Sequence, residues 1–170
     1  ETSGKYFQKI KDTKIASKSW NKSHLESIKQ SYKLAVFFKE NWEWLENLFL
    51  TCDYTYLTDI NLHFINEINA YLDINTEIRS SSEFRLCDDK NLRLIDICKS
   101  LNGTDYFSGP AARSYINRNL FEQNEIKLHF HNYNNYKTYE QIHGNFSHEV
   151  SIIDTILNIG KEGTKNQFIL

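Results

Sequence analysis

The run Asp105-Tyr106-Phe107-Ser108-Gly109-Pro110-Ala111-Ala112-Arg113 has the residue types and spacing of an anion-binding turn. A short aromatic strand leads into Ser108-Gly109, Pro110 suits the first turn of a helix, and Ala111 and Ala112 continue as helix formers. Such a turn leaves the Gly109 backbone bare and offers the Ser108 hydroxyl. It also aims the first amides of the following helix, at the positive end of its dipole, toward a phosphate or carboxylate. From the same helix Arg113 has the fork to clamp that anion, and Tyr115 has a ring that stacks on a base or sugar. Each residue also has a plainer explanation: capping and turn chemistry for Ser-Gly-Pro, a solvated or acid-paired arginine, a core tyrosine. Neither a P-loop lysine nor the three-glycine dinucleotide fingerprint accompanies the turn.

Acid–base chemistry has its candidates further along. Asp154 and Asn158 lie four apart beside the apolar stripe Ile152, Ile153, Ile156 and Leu157, so an inward-facing Asp154 must be paired. His131 or His148 suits a general base by residue type, with nothing in the sequence to choose between them. The six histidines include no helical i, i+4 pair with an acid between, so no metal site is assigned. Cys52, Cys87 and Cys98 are too few and too scattered for a disulfide framework, and are expected to be reduced and mostly buried.

These groups need elements to hold them. Trp20, Leu25, Ile28, Tyr32 and Ala35 recur at helical steps. A second helix is expected over Glu40–Leu50, and a third from Thr58, as cap, to Leu72. After this helical block the pattern becomes short β-prone segments alternating with helices. Strands are expected near Glu77–Ser80, Asp105–Phe107 and Ile126–Phe130, with a further one at Lys14–Ala16. Helices are expected from Asp88 or Asp89 to Leu101, from Pro110 onward, and over Ser147–Gly160, with a frayed tail from Lys161 to Leu170. Residues His131–Asn145 lack a period and form a long loop. The expectation is an α/β domain: a mostly parallel sheet with flanking helices in Rossmann-like layers, plus the helical block. Ligands would gather at the strands' carboxyl ends, with Ser108, Gly109, Arg113, His131 and Asp154 in one crevice.

The 170 residues suffice for one domain with a core, at 40% hydrophobic and 14% aromatic content. A net charge of -2 argues against nucleic acid as a partner. No apolar run reaches membrane-span length and no signal-peptide pattern opens the chain, which is expected to be cytoplasmic. The chain contains no methionine, and the expectation is that an upstream segment is missing.

Tyr106-Phe107-Ser108-Gly109-Pro110-Ala111, Tyr115, Phe121, the run Tyr136…Tyr139-Glu140-Gln141, Phe146, and Ser151-Ile152-Ile153-Asp154 with Asn158 and Gly160 resemble the second half of WbqC-like proteins. Trp20…His24-Leu25…Ile28…Tyr32-Lys33 is similar to the family's middle portion. The resemblance implies one WbqC-like domain over residues 1–170, lacking the strand and Gln-Pro loop with which the family pattern opens. It further implies a bacterial protein of O-antigen or other surface-polysaccharide synthesis, with no cofactor specified. The expected activity is transfer of an acyl, aminoacyl or related group to a nucleotide-activated sugar. Ser108 and Gly109 would hold the diphosphate, Arg113, Tyr115 and Asn158 would contact the ligand, and Asp154 with His131 or His148 would orient or deprotonate the acceptor. The alternative is a non-catalytic sugar-nucleotide-binding or scaffolding subunit, and in either case the expected partner is a nucleotide sugar or another phosphorylated small molecule.

Overall fold

The computed structural model describes residues 7–133 and 136–168, and the chain divides into two compact units. The first comprises Glu1–Asn75 with Tyr136–Leu170, and the second Thr76–Asn135.

In the first unit, α1 (Trp20–Tyr32), α2 (Phe38–Leu50) and α3 (Leu57–Tyr71) realise the three helical stripes of the sequence, and α6 (Ile152–Phe168) joins them from the far end of the chain. Leu25, Ala35, Leu45, Leu48, Phe49 and Leu157 form the buried centre, walled by Trp20, Trp42, Trp44 and Phe64. Full burial of a leucine such as Leu45 contributes about 1.5–3 kcal/mol. The residue preceding α3 is Tyr56 rather than Thr58, which falls inside the first turn. At Lys14–Ala16 the expected strand reduces to one antiparallel bridge between Lys14 and Tyr56.

The last helix departs from expectation at both ends. It starts at Ile152, where the Ser151 hydroxyl accepts from the Ile153 amide at 3.3 Å, and not at Ser147. Gly160 does interrupt it, at φ 72° and ψ 179°, but the helix resumes through Phe168, so the described part of the tail is ordered. Residues 169 and 170 of that tail lie outside the described residues. Glycine is required at the break: a Cβ there would lie 2.7 Å from Phe37 Cδ1. Thr164, fully buried, donates to the Gly160 carbonyl at 2.7 Å and restarts the helix.

In the second unit, α4 (Lys90–Ser100) begins where Asp89 accepts from the amides of Asn91 and Leu92 at 2.9 and 2.8 Å. It ends at Asn102, whose φ of 53° lets the Gly103 amide return to the Cys98 carbonyl at 2.7 Å. Strand β1 (Asp105–Ser108) pairs in parallel with β2 (Lys127–Phe130), Asp105 opposite Lys127 and Ser108 opposite Phe130. Between them lies α5 (Arg118–Gln123), whose Phe121 is fully buried with Ile95 and Ile126 and stacks on Tyr106 at 5.5 Å.

Three sequence expectations fail in this unit. Among the described residues no strand pairs with Glu77–Ser80. That segment leads into a 3-10 turn, Ser81–Glu83, closed by a reciprocal capping box between Ser80 and Glu83, so local side-chain bonding took the place of sheet pairing. No α-helix starts at Pro110: a five-residue 3-10 turn, Pro110–Ser114, precedes α5. Among the described residues the sheet consists of β1 and β2 alone, an α/β pairing without Rossmann-like layers.

Candidate functional site

Asp154 is the centre of the most connected polar cluster of the first unit. It is 5% exposed, placed on the first turn of α6 with its carboxylate facing α1 and the 139–147 loop. Tyr32 donates to Oδ2 at 2.9 Å, and Tyr139 and the Gln141 amide donate to Oδ1 at 2.7 and 3.0 Å. All three partners are neutral, so the buried anion is held by hydrogen bonds alone, which at a charged acceptor are each worth about 1.5–3 kcal/mol. Burial pushes the Tyr32 phenol up to about 12, with the bond to Asp154 acting in the same direction. Tyr139 is likewise raised, by burial first. Both phenols therefore stay protonated and remain donors across the neutral range.

Tyr139 carries this cluster to the surface. It contacts the Thr155 hydroxyl at 3.1 Å and meets Phe146 edge-to-face at 5.1 Å, while Phe146 in turn meets His148 at 4.6 Å. These four side chains, with Lys137 and Gln167, line an open cleft of ≈ 170 Å³. Its chemistry is three aromatic rings, Tyr136, Tyr139 and Phe146, with the His148 imidazole and the Lys137 ammonium. Asn158, 6% exposed, does not reach the cleft's polar groups by any bond: its amide donates to the Asp154 main-chain carbonyl one turn back, at 2.9 Å.

The remaining candidates, Ser108, Gly109, Arg113, Tyr115 and His131, belong to the second unit. Gly109 adopts an ordinary extended conformation, φ −70°, and a Cβ there would lie 3.7 Å from the Tyr133 hydroxyl, a normal contact. The bare backbone is thus not a steric necessity. The 3-10 turn after it is too short to carry the dipole of a full α-helix, which removes the main electrostatic reason to expect an anion there. Arg113 lies over the Phe130 ring at 5.0 Å, with Arg118 at 6.0 Å over the same ring. Tyr115 is 63% exposed, which sets aside its reading as core. Exposed His131 donates its amide to the Ser108 carbonyl at 2.9 Å, and its ring lies between Phe107 and Tyr133, 5.8 and 6.2 Å away. By strand alternation His131 is on the opposite face from Phe130 and so from Arg113.

The sequence reading missed Tyr32, Gln141 and Thr155 as polar participants. Tyr32 was counted on the apolar stripe of α1, although a buried tyrosine hydroxyl demands a partner and so signals a polar neighbour. Cys52 is buried and Cys98 packs on the Ile95 core; desolvation raises both thiols, as expected of inert cysteines. Among the described residues no cluster of histidine, cysteine and acid is arranged for a metal, and no helix is long and apolar enough to cross a membrane.

The model of the WbqC-like protein family matches residues 2–166. The uncharacterized protein Rv1507c of Mycobacterium tuberculosis (strain ATCC 25618 / H37Rv) is 35% identical over 162 residues, which cover 95% of this chain and 70% of that protein. No solved structure matches the chain. On both sequence matches, which run nearly from end to end, the chain belongs to the WbqC-like protein family.

Proposed function

We propose that this chain serves O-antigen or other surface-polysaccharide synthesis in the cytoplasm of a bacterium, as a transferase of an acyl, aminoacyl or related group to a nucleotide-activated sugar. The observation that carries the proposal is the cleft beside Asp154, where Tyr139 and Phe146 offer faces for a sugar ring, His148 a base and Lys137 a cation. In this reading His148 takes the proton from the acceptor hydroxyl or amine. Asp154 acts through Tyr139, fixing the phenol by the 2.7 Å bond so that it presents a constant wall and a constant dipole to the acceptor. In the second unit Ser108, Gly109, Arg113 and Tyr115 are proposed as contacts to a phosphorylated ligand beyond the carboxyl end of β1, held by the Ser108 hydroxyl and the Arg113 guanidinium rather than by a helix dipole.

A second reading, a non-catalytic sugar-nucleotide-binding subunit, is favoured by one feature: both Asp154 oxygens are already engaged, which suits a structural anion better than a catalytic one. Thermal unfolding with a panel of sugar nucleotides and ATP tests both, because a ligand at a hundred times its dissociation constant stabilises by about 2.7 kcal/mol. Mass analysis of the sugar then separates them. The enzyme yields a modified sugar and loses turnover in His148→Gln with binding retained, whereas the binding subunit yields none. An unchanged midpoint with every ligand refutes both.

A further inference from the structure

The turn between α1 and α2 exposes two aliphatic side chains inside a basic segment. Leu34 is 81% and Val36 83% exposed, while Ala35 between them is buried and anchors the turn. The turn is held by backbone bonds from Ala35 to the Tyr32 carbonyl at 2.8 Å and from Phe37 to the Leu157 carbonyl at 3.0 Å. The His143 ring ties the adjoining end of α1 from the side, donating to the Ser31 carbonyl at 2.7 Å. The two aliphatics are therefore presented on a fixed corner, and among the described residues they stay open to water.

Charge on the α1 side of the corner is basic. From Ala16 to Lys39 the chain has five lysines and one acid, Glu26, in a protein whose net charge is -2, so the remainder is strongly acidic. Lys22, Lys29 and Lys33, spaced seven and four apart, fall within about 40° of one another around α1, and Lys33 adjoins Leu34 directly. Lys39 flanks the other side on α2, beside the acids Glu40 and Glu43. Lys29, Lys33 and Lys39 are all exposed. Aliphatic side chains at the tip of a turn flanked by Lys29 and Lys33 on one side and Lys39 on the other match an interface whose surface is anionic and whose interior is hydrocarbon.

We propose that the α1–α2 corner docks on an anionic phospholipid surface, with Leu34 and Val36 entering the acyl boundary and Lys29, Lys33 and Lys39 lying among the headgroups. The acidic remainder of the chain is repelled by the same surface, which orients the protein corner-first. Contact is peripheral, in keeping with the lack of a spanning helix among the described residues. It needs no assumption about the reaction.

The test is co-sedimentation of the chain with vesicles of phosphatidylcholine alone and of phosphatidylcholine with equimolar phosphatidylglycerol, at low and high salt. Binding to the anionic vesicles only, weakened by salt, is expected. The triple variant Lys29→Gln, Lys33→Gln, Lys39→Gln should bind roughly a hundredfold more weakly, at about fivefold per lysine. The double variant Leu34→Ser, Val36→Ser should lose at least about tenfold while keeping some electrostatic attraction. All five positions are exposed, so the variants should keep the parent's circular dichroism and unfolding midpoint. No binding to anionic vesicles, or binding that both variants leave unchanged, overturns the proposal. So does a parent that self-associates in light scattering without binding vesicles while the double variant is monomeric, since that makes the corner a contact between copies of the chain.

Discussion

Replacing Asp154 by asparagine keeps its size and changes its bonding. The carboxylate accepts from Tyr32 on one oxygen and from Tyr139 and Gln141 on the other. An amide has one acceptor oxygen, so the better orientation keeps the Oδ1 pair and turns an NH2 toward Tyr32, whose oxygen must then accept while its own O–H gives up the bond to the charged acceptor. Losing one hydrogen bond to a charged acceptor costs about 1.5–3 kcal/mol, and the two survivors weaken without the charge. Relief of the buried charge offsets part of that, leaving a net loss of about 2–4 kcal/mol. With a urea dependence of roughly 2 kcal/mol per molar, the unfolding midpoint should fall by about 1–2 M. Tyr32→Phe, alone and combined with Asp154→Asn, completes a double-mutant cycle, and a coupling of about 1–3 kcal/mol is expected because the two side chains share one bond. A loss under about 0.5 kcal/mol in Asp154→Asn, or additive single variants, would refute the claim that this carboxylate organises the first unit.

Alkaline titration should find the same cluster. In the folded chain Tyr32 holds its proton to about pH 12, whereas an ordinary tyrosine releases it near 10.0. The folded state therefore binds the extra proton, and the contribution is complete below 10 and disappears as pH rises from 10 toward 12. Phenolate absorbance against denaturation midpoint across that window checks it. Gly160→Ala should cost about 2–4 kcal/mol, from the left-handed backbone and the clash with Phe37 together. Gly144→Ala, at φ 63° with open space around its Cβ, should cost only about 1–2 kcal/mol in the same melts. Asp89→Ala removes the N-cap of α4 and should cost about 1 kcal/mol, seen as faster amide exchange at Asn91 and Leu92.

Helices α1, α2 and α4 were legible because each carries an apolar stripe of one period, and α4 also has an aspartate cap and an Asn-Gly stop. Such signals are complete within a dozen residues, and burial merely enforces them. The strands β1 and β2 were found for a similar reason, as short runs carrying aromatic residues. What failed depended on partners distant in the chain. Glu77–Ser80 has strand-like residues, but a strand exists only if another edge pairs with it, and here Ser80 and Glu83 bonded each other instead. Pro110 opens a helix only if the following residues find a face to bury, and in this unit it is Ala112 and then Phe121, not one continuous stripe, that reach the core.

The candidate site divides along the same line. Residue type alone determined that Asp154, if inward, needed partners, and that His148 was a candidate general base, since these follow from the chemistry of a carboxylate and an imidazole. Tertiary structure decided which partners: Tyr32 lies 122 residues away along the chain, and no local pattern encodes a hydroxyl arriving from another helix. It also decided that Arg113 would rest on Phe130, because a guanidinium settles on whichever ring or anion the fold brings within reach. Helical period and capping act over a few bonds and are written in order along the chain, whereas a hydrogen-bond cluster is a meeting of segments that exists only once the core has closed.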